Sequence, residues 1–217
     1  MMRLLLAATT ALTYSGCPNI FELEFDPGPQ IFVYNIHIAK GGGGSFRLEW
    51  LDIRSSKTGE EGKKNVEEFI AEFKREDRFE SELPGCDDVS HDVGYDSQGV
   101  LNAHVQGRIP DIFVLLRMLQ GSSPASLRGD EILSLGWDGD VLSVKLGPRS
   151  SRPPRAQANE DSQLKIIITT EGKFLSATHG SISDDRKKLV ISGAEALAVM
   201  NGQWGFSIAE LAWRGTS

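Results

Sequence analysis

Cysteine is scarce in this 217-residue chain: Cys17 and Cys86 are the only two, and they lie far apart. A disulfide-stapled scaffold and a four-cysteine zinc site are therefore excluded. Basic charge is short as well. Lys and Arg number 23 against 30 Asp and Glu, a formal net charge of −7, which argues against nucleic acid as the partner. No apolar run approaches the roughly 20 residues needed to cross a bilayer as a helix. The nucleophile and metal patterns GxSxG and HExxH and the P-loop are all missing. What remains is a chain 40% hydrophobic, enough to bury a core and to exclude global disorder.

The N-terminus carries an address. Arg3 precedes the short apolar run Leu4–Leu12, and small residues follow in Ser15-Gly16-Cys17. A positive start, a brief apolar stretch and small residues before a cut form an export signal over residues 1–16. Ser15-Gly16-Cys17 further resembles a bacterial lipobox, in which the cysteine is lipidated and becomes the new N-terminus. Tyr14 stands where that pattern usually has Leu. The alternative is ordinary cleavage, with Cys17 retained as a thiol that pairs with Cys86 in an oxidising space. Residues 17–217 are expected to form a single exported domain, held at the membrane through Cys17.

Along that domain strand signals dominate. Phe21, Leu23 and Phe25 alternate with acids before the turn Asp26-Pro27-Gly28-Pro29, and strands follow at Ile31–Ala39 and Ser45–Ile53. Gly41–Gly44 reads as a hairpin tip, since it lacks the Lys-Ser or Lys-Thr and the helix start of a phosphate cradle. Pairing Ile38 with Phe46, Ile36 with Leu48 and Tyr34 with Trp50 keeps the apolar side chains on one face. Between Gly62 and Asp77 the period changes. Val66, Phe69, Ile70 and Phe73 form the buried stripe of an amphipathic helix. A hairpin around Asp96-Ser97-Gln98-Gly99 sets Tyr95 against Leu101, Val93 against Ala103 and His91 against Val105. Pro110 opens an apolar helix over Asp111–Gln120. A second hairpin, around Trp137-Asp138-Gly139-Asp140, sets Leu133, Leu135 and Trp137 against Leu142, Val144 and Leu146. Residues 147–162 read as a flexible loop. Leu164–Thr170, a turn at Glu171-Gly172, Lys173–Thr178, Lys187–Ser192, a helix at Ala194–Met200 and a strand at Phe206–Leu211 complete the chain. The fold class is α+β: antiparallel hairpins forming a curved sheet packed against two main helices.

The candidate sites are few. His91 and His104 fall on opposite faces of their hairpin, which removes the most tempting metal pair, and His37 and His179 stand apart, so no metal or cofactor is expected. Asp87-Asp88 and Asp184-Asp185 read as solvated turn acids, and no catalytic residue is assigned; an enzyme is not expected. Trp50, Trp137, Trp204 and Trp213 are mainly packing residues. Arg149, Arg152 and Arg155 form a basic cluster and are the candidates for contact with an anionic headgroup.

The order of these pieces resembles the LppM-type bacterial lipoproteins, and the passage from Ile166 through Gly180 carries the likeness most clearly: a strand, a turn at Glu171-Gly172-Lys173, a strand, then Ala177-Thr178-His179-Gly180. Glu171 stands where that family usually has Pro, and the C-terminal membrane helix of some members is missing. The resemblance implies a helix-grip-like domain, some of whose members bind envelope glycolipids. It also implies a ligand cavity between the helix bearing Leu115, Leu116 and Leu119 and the hairpin bearing Leu133, Leu135, Trp137, Leu142 and Val144. The expected function is thus an exported envelope protein, lipid-anchored at the outer membrane or cell surface, that takes a lipid, glycolipid or other amphiphile. The alternative is a structural or interaction lipoprotein with a filled core and no small ligand, its protein partners unspecified.

Overall fold

The structure, a computed structural model, describes residues 26–79, 83, 85–111, 114, 133–138, 141–146, 163–200 and 206–212. The strand expected over Phe21–Phe25, the signal segment with Cys17, the loop at 147–162 and nearly all of the helix expected over Asp111–Gln120 lie outside these residues. Chain order is β1 (Gly28–Ile38), β2 (Gly44–Arg54), α1 (Gly59–Phe73), β3 (Asp87–Tyr95), β4 (Leu101–Ile109), β5 (Leu133–Asp138), β6 (Val141–Leu146), β7 (Gln163–Thr170), β8 (Lys173–Ala177), β9 (Ser181–Ile182), β10 (Lys188–Ser192), α2 (Gly193–Met200) and β11 (Phe206–Ala212). The class is mixed α+β.

Two sheets replace the single curved sheet expected. One has seven strands in the order β3-β4-β2-β1-β7-β10-β9, and the other has four, β5-β6-β11-β8. Pairing in the large sheet is antiparallel except at its centre, where β7 lies parallel to β1, with Phe32 opposite Leu164 and Ile36 opposite Ile168. Hairpin reasoning does not reach this pairing, because the two strands are separated by most of the chain. Nor does β7 fold back on β8 at Glu171-Gly172. Its flanks are already taken by β1 and β10, with Thr170 N–H donating to Lys187 O at 3.0 Å and Glu171 N–H to Ile38 O at 3.2 Å. The chain therefore leaves for the second sheet, where β8 pairs with β11.

The β1–β2 register differs from the expected one by two residues: Ile38 faces Gly44, Ile36 faces Phe46, Tyr34 faces Leu48 and Phe32 faces Trp50. A two-residue slip preserves the faces, since side chains alternate with period two. Its cause is local. The tip closes between Ala39 N–H and Gly43 O at 2.7 Å, so Gly44 is drawn into the ladder, where a Cβ would stand 1.8 Å from His37 O. Both remaining hairpins pair as expected. Tyr95, Val93 and His91 meet Leu101, Ala103 and Val105, and Leu133, Leu135 and Trp137 meet Leu146, Val144 and Leu142. Gly99 takes φ +76° at the end of its turn, as the bulged hairpin requires.

Alternation gives the large sheet two unlike faces. Phe32, Tyr34, Ile36, Ile38, Leu48, Trp50, Val105, Ile166, Ile168, Leu189 and Ile191 turn to one side and are buried. Leu142 of β6, Phe174 of β8 and Ala196 of α2 belong to the same core. α1 starts one turn earlier than its periodicity indicates, after Thr58, and lays Phe73 fully, and Val66, Phe69 and Ile70 partly, onto that core. Glu60 and Glu61 in its first turn favour the positive end of the helix dipole.

Candidate functional site

Two concavities stand on opposite sides of the large sheet. The first lies on the core side, between the chain just before β1, α1 and the segment that follows it, with a volume of about 280 Å³. Its floor is aromatic. Trp50 comes from β2, Phe69 and Phe73 from successive turns of α1, and Phe79 from the turn beyond. These rings lock one another: Trp50–Phe73 and Phe73–Phe79 meet edge-on at 5.4 and 5.1 Å between centroids, while Phe69 and Phe73 lie tilted at 38° and 5.5 Å. Edge-to-face pairs of this kind add about 0.5–1.5 kcal/mol each beyond the area they bury. The His91 ring packs against the same group, 5.1 Å from Phe79.

The rim of this aromatic cleft is polar. Arg78 lies over the Phe79 ring at 5.3 Å and 3.8 Å from Glu72, and burial pushes its guanidinium pKa down. Asp26 ties the opposite wall together. Its carboxylate accepts from Ser56 N–H at 2.8 Å, from Ser55 Oγ at 2.9 Å and from Asn65 Nδ2 at 3.0 Å, joining the chain before β1 to both the loop before α1 and the helix itself. The Ser56 amide is the largest influence holding the Asp26 carboxyl below its ordinary value. An aromatic floor under a rim of a few fixed polar groups suits a small amphiphile, whose apolar part is excluded from water while its polar end stays wet.

The second concavity, about 390 Å³, opens on the other face, across β4, β2, β1 and β7. Here the alternation that buries the core presents Asn35, His37, Arg47, Gln106, Arg108 and Thr169 side by side. They are interlinked. Arg47 donates from Nε to Glu49 at 3.0 Å and from Nη1 to Gln106 Oε1 at 2.8 Å, while Asn35 Nδ2 donates to the other Glu49 oxygen at 2.7 Å. Asp88 reaches this cleft from a β-bulge, where its φ is +51°, and stands 3.5 Å from Arg108. Asp87 and Asp88 thus begin a strand, where the sequence suggested a turn.

The residues expected to line a cavity are only partly placed. Leu142 is fully buried in the common core. Leu133, Leu135, Trp137 and Val144 take the expected backbone register in β5 and β6. Leu115, Leu116, Leu119, Arg149, Arg152, Arg155 and Cys17 lie outside the described residues, as do Trp204 and Trp213. Sequence reasoning did not single out the aromatic cleft. Its stripe was visible in α1, but Trp50 and Phe79 join it from separate segments with no shared spacing. His91 and His104 do fall on opposite faces, and among the described residues no group of three His, Cys, Asp or Glu is placed to hold a metal. No described helix is long and apolar enough to cross a membrane.

The chain matches no known protein family, and no curated protein matches its sequence. Among solved structures it is similar to the folded domain of the Mycobacterium tuberculosis LppM protein, determined by NMR. The identity is 13% and the TM-score 0.44, over 88% of this chain and 95% of that one, a weak likeness of fold.

Proposed function

We propose that this chain is an exported, lipid-tethered envelope protein whose domain binds an amphiphile rather than catalysing a reaction. The observation that carries the reading is the aromatic cleft of Trp50, Phe69, Phe73 and Phe79 beneath a polar rim. Export and tethering rest on the Arg3 to Cys17 segment, with its short apolar run and lipobox-like end. Gripping of the ligand between sheet and helices, in the helix-grip manner, is part of the same proposal. Each methylene laid against the rings contributes about 0.8 kcal/mol, so about six reach roughly 5 kcal/mol, an affinity below millimolar before ordering costs.

The test uses the protein as an exporting bacterial host processes it. Membrane-extracted protein is examined by native mass spectrometry, with lipid extraction of the same sample. One co-purified amphiphile per chain, lost in Phe69→Glu, is the expected result. A bare mass in both, with no uptake of added lysophospholipid, overturns ligand binding and leaves a structural or interaction lipoprotein. Cys17→Ser reports separately on the tether: it should move the chain from the membrane to the soluble fraction.

A further inference from the structure

The polar cleft on the outer face of the large sheet takes no part in that reading. Its construction points to a ligand of a different kind. A merely solvated sheet face would carry long charged side chains reaching separately into water. Here the central strands instead carry short or planar polar groups, held against one another. Arg47, at the centre, is fixed from two sides by Glu49 and Gln106. Thr169 Oγ1 donates to Ile36 O at 3.3 Å and lies 3.0 Å from His37 Nδ1. His37 Nδ1 is thus engaged by Thr169, which leaves Nε2 as the ring's second hydrogen-bonding atom.

Charge narrows the ligand. Each of the two guanidinium groups of the cleft has a carboxylate partner, Glu49 beneath Arg47 at 3.0 Å and Asp88 beside Arg108 at 3.5 Å, so neither cation stands alone in this acidic chain. An oxyanion gains little from guanidinium groups already paired in this way, and a cation gains as little from the carboxylates. A neutral ligand rich in hydroxyls gains most, because each hydroxyl both donates and accepts. An amide or guanidinium edge at fixed spacing can serve two neighbouring hydroxyls, and the remaining imidazole nitrogen one. Ile167 adds an apolar patch for the C–H side of a ring. The bulge at Asp88, a non-glycine residue held at positive φ, turns the carboxylate of an edge strand toward Arg108, and such strained bulges gather at functional edges. We propose that this cleft binds a neutral saccharide unit through Asn35, His37, Arg47, Gln106 and Thr169.

The test is an amide NMR titration of the processed protein with cellotriose and chitotriose, and with glucuronate and inorganic phosphate as charged probes, each up to about 10 mM, the range of weak single-saccharide affinity. The expected result is shifts with a neutral sugar confined to 35–37, 45–47, 106–108 and 167–169, with α1 unmoved. Gln106→Leu and Thr169→Val, each removing one polar partner, should weaken binding about tenfold. Shifts only with glucuronate or phosphate would overturn the proposal in favour of an oxyanion site. Absence of any shift, shifts located elsewhere, or unchanged affinity in both folded variants would also overturn it. Because α1 and the aromatic cleft are read separately in the same spectra, failure here leaves the amphiphile reading standing, and the reverse holds too.

Discussion

Trp50 of the sheet meets Phe73 of the helix edge-on, their ring centroids 5.4 Å apart and their planes at 80°. This contact holds α1 to the sheet and also forms the floor of the aromatic cleft, so packing and binding share one pair of rings. Phe73 is 5% exposed, whereas Phe69, one turn earlier, is only partly buried. Truncating the two should therefore separate the roles. Phe73→Ala is expected to cost about 3–5 kcal/mol, as for a buried aromatic that leaves a cavity, and Phe69→Ala about 1 kcal/mol. Urea unfolding followed by tryptophan fluorescence measures both. Equal losses would mean that α1 is held mainly by something other than Phe73.

Gly44 and Gly94 are both strand glycines, yet they should respond in opposite ways. A Cβ on Gly44 would stand 1.8 Å from His37 O, backbone that cannot yield without opening the β1–β2 ladder. A Cβ on Gly94 would touch nothing within 4 Å. Gly44→Ala is expected to destabilise by at least about 3 kcal/mol. Gly94→Ala should be neutral or stabilise by about 0.5 kcal/mol, chiefly by restricting the unfolded chain. Thermal melts of both variants give the comparison, and a tolerated Gly44→Ala would place the hairpin tip in a different register.

That glycine also shows where the sequence stops speaking. Four consecutive glycines mark a tip clearly but do not say which of them the ladder absorbs, and the register slipped by two residues on that point. The β3–β4 and β5–β6 hairpins were legible because turn residues and apolar alternation are both local and point to the same register. The α1 stripe was legible for the same reason. By contrast, the parallel pairing of β1 with β7 depends on which flanks are still free when distant strands meet. The polar cleft left a trace, since Asn102, His104 and Gln106 already shared one face of their hairpin. Its partners Asn35, His37 and Thr169 could be added only once the β1 and β7 neighbours were known. The aromatic cleft left less, because Phe79 sits in an irregular turn.

Asp26 predicts a response to acid. Hydrogen bonds from Ser56, Ser55 and Asn65 hold its carboxyl below the ordinary 3.8 in the folded state. A depressed carboxyl gives stability that is fully present above about 3.8, where both states are ionised. That stability is lost as pH falls toward and through the folded value, because the unfolded chain takes up the proton first. Asp26→Asn should leave the melting temperature at pH 3 closer to its neutral-pH value than in the parent protein. It should also loosen the junction of β1, the loop before α1 and the helix, raising amide exchange at Ser56. A parent and variant with the same acid profile would show that this junction is held by other groups.

His104 gives the sharpest reading of the polar face. It stands opposite both Glu49 and Asp92, yet its pKa is lowered from 6.5: burial is the largest cause and the Arg47 charge the next, against the opposing pull of Asp92 and Glu49, with His91 adding a little in the lowering direction. A histidine with a lowered folded pKa stays neutral where the unfolded chain would already be charged. Its contribution to stability is therefore complete above about 6.5 and declines as pH falls below that value. Proton NMR titration should place the His104 midpoint below that of an exposed histidine. Arg47→Gln should raise the midpoint, because it removes a cation while leaving two carboxylates in place. The same variant unfastens Gln106 and Glu49, so a raised midpoint accompanied by lost saccharide shifts would tie the electrostatics of this face to its binding. A midpoint at or above 6.5 in the parent protein would mean that Asp92 and Glu49 outweigh burial and the Arg47 charge.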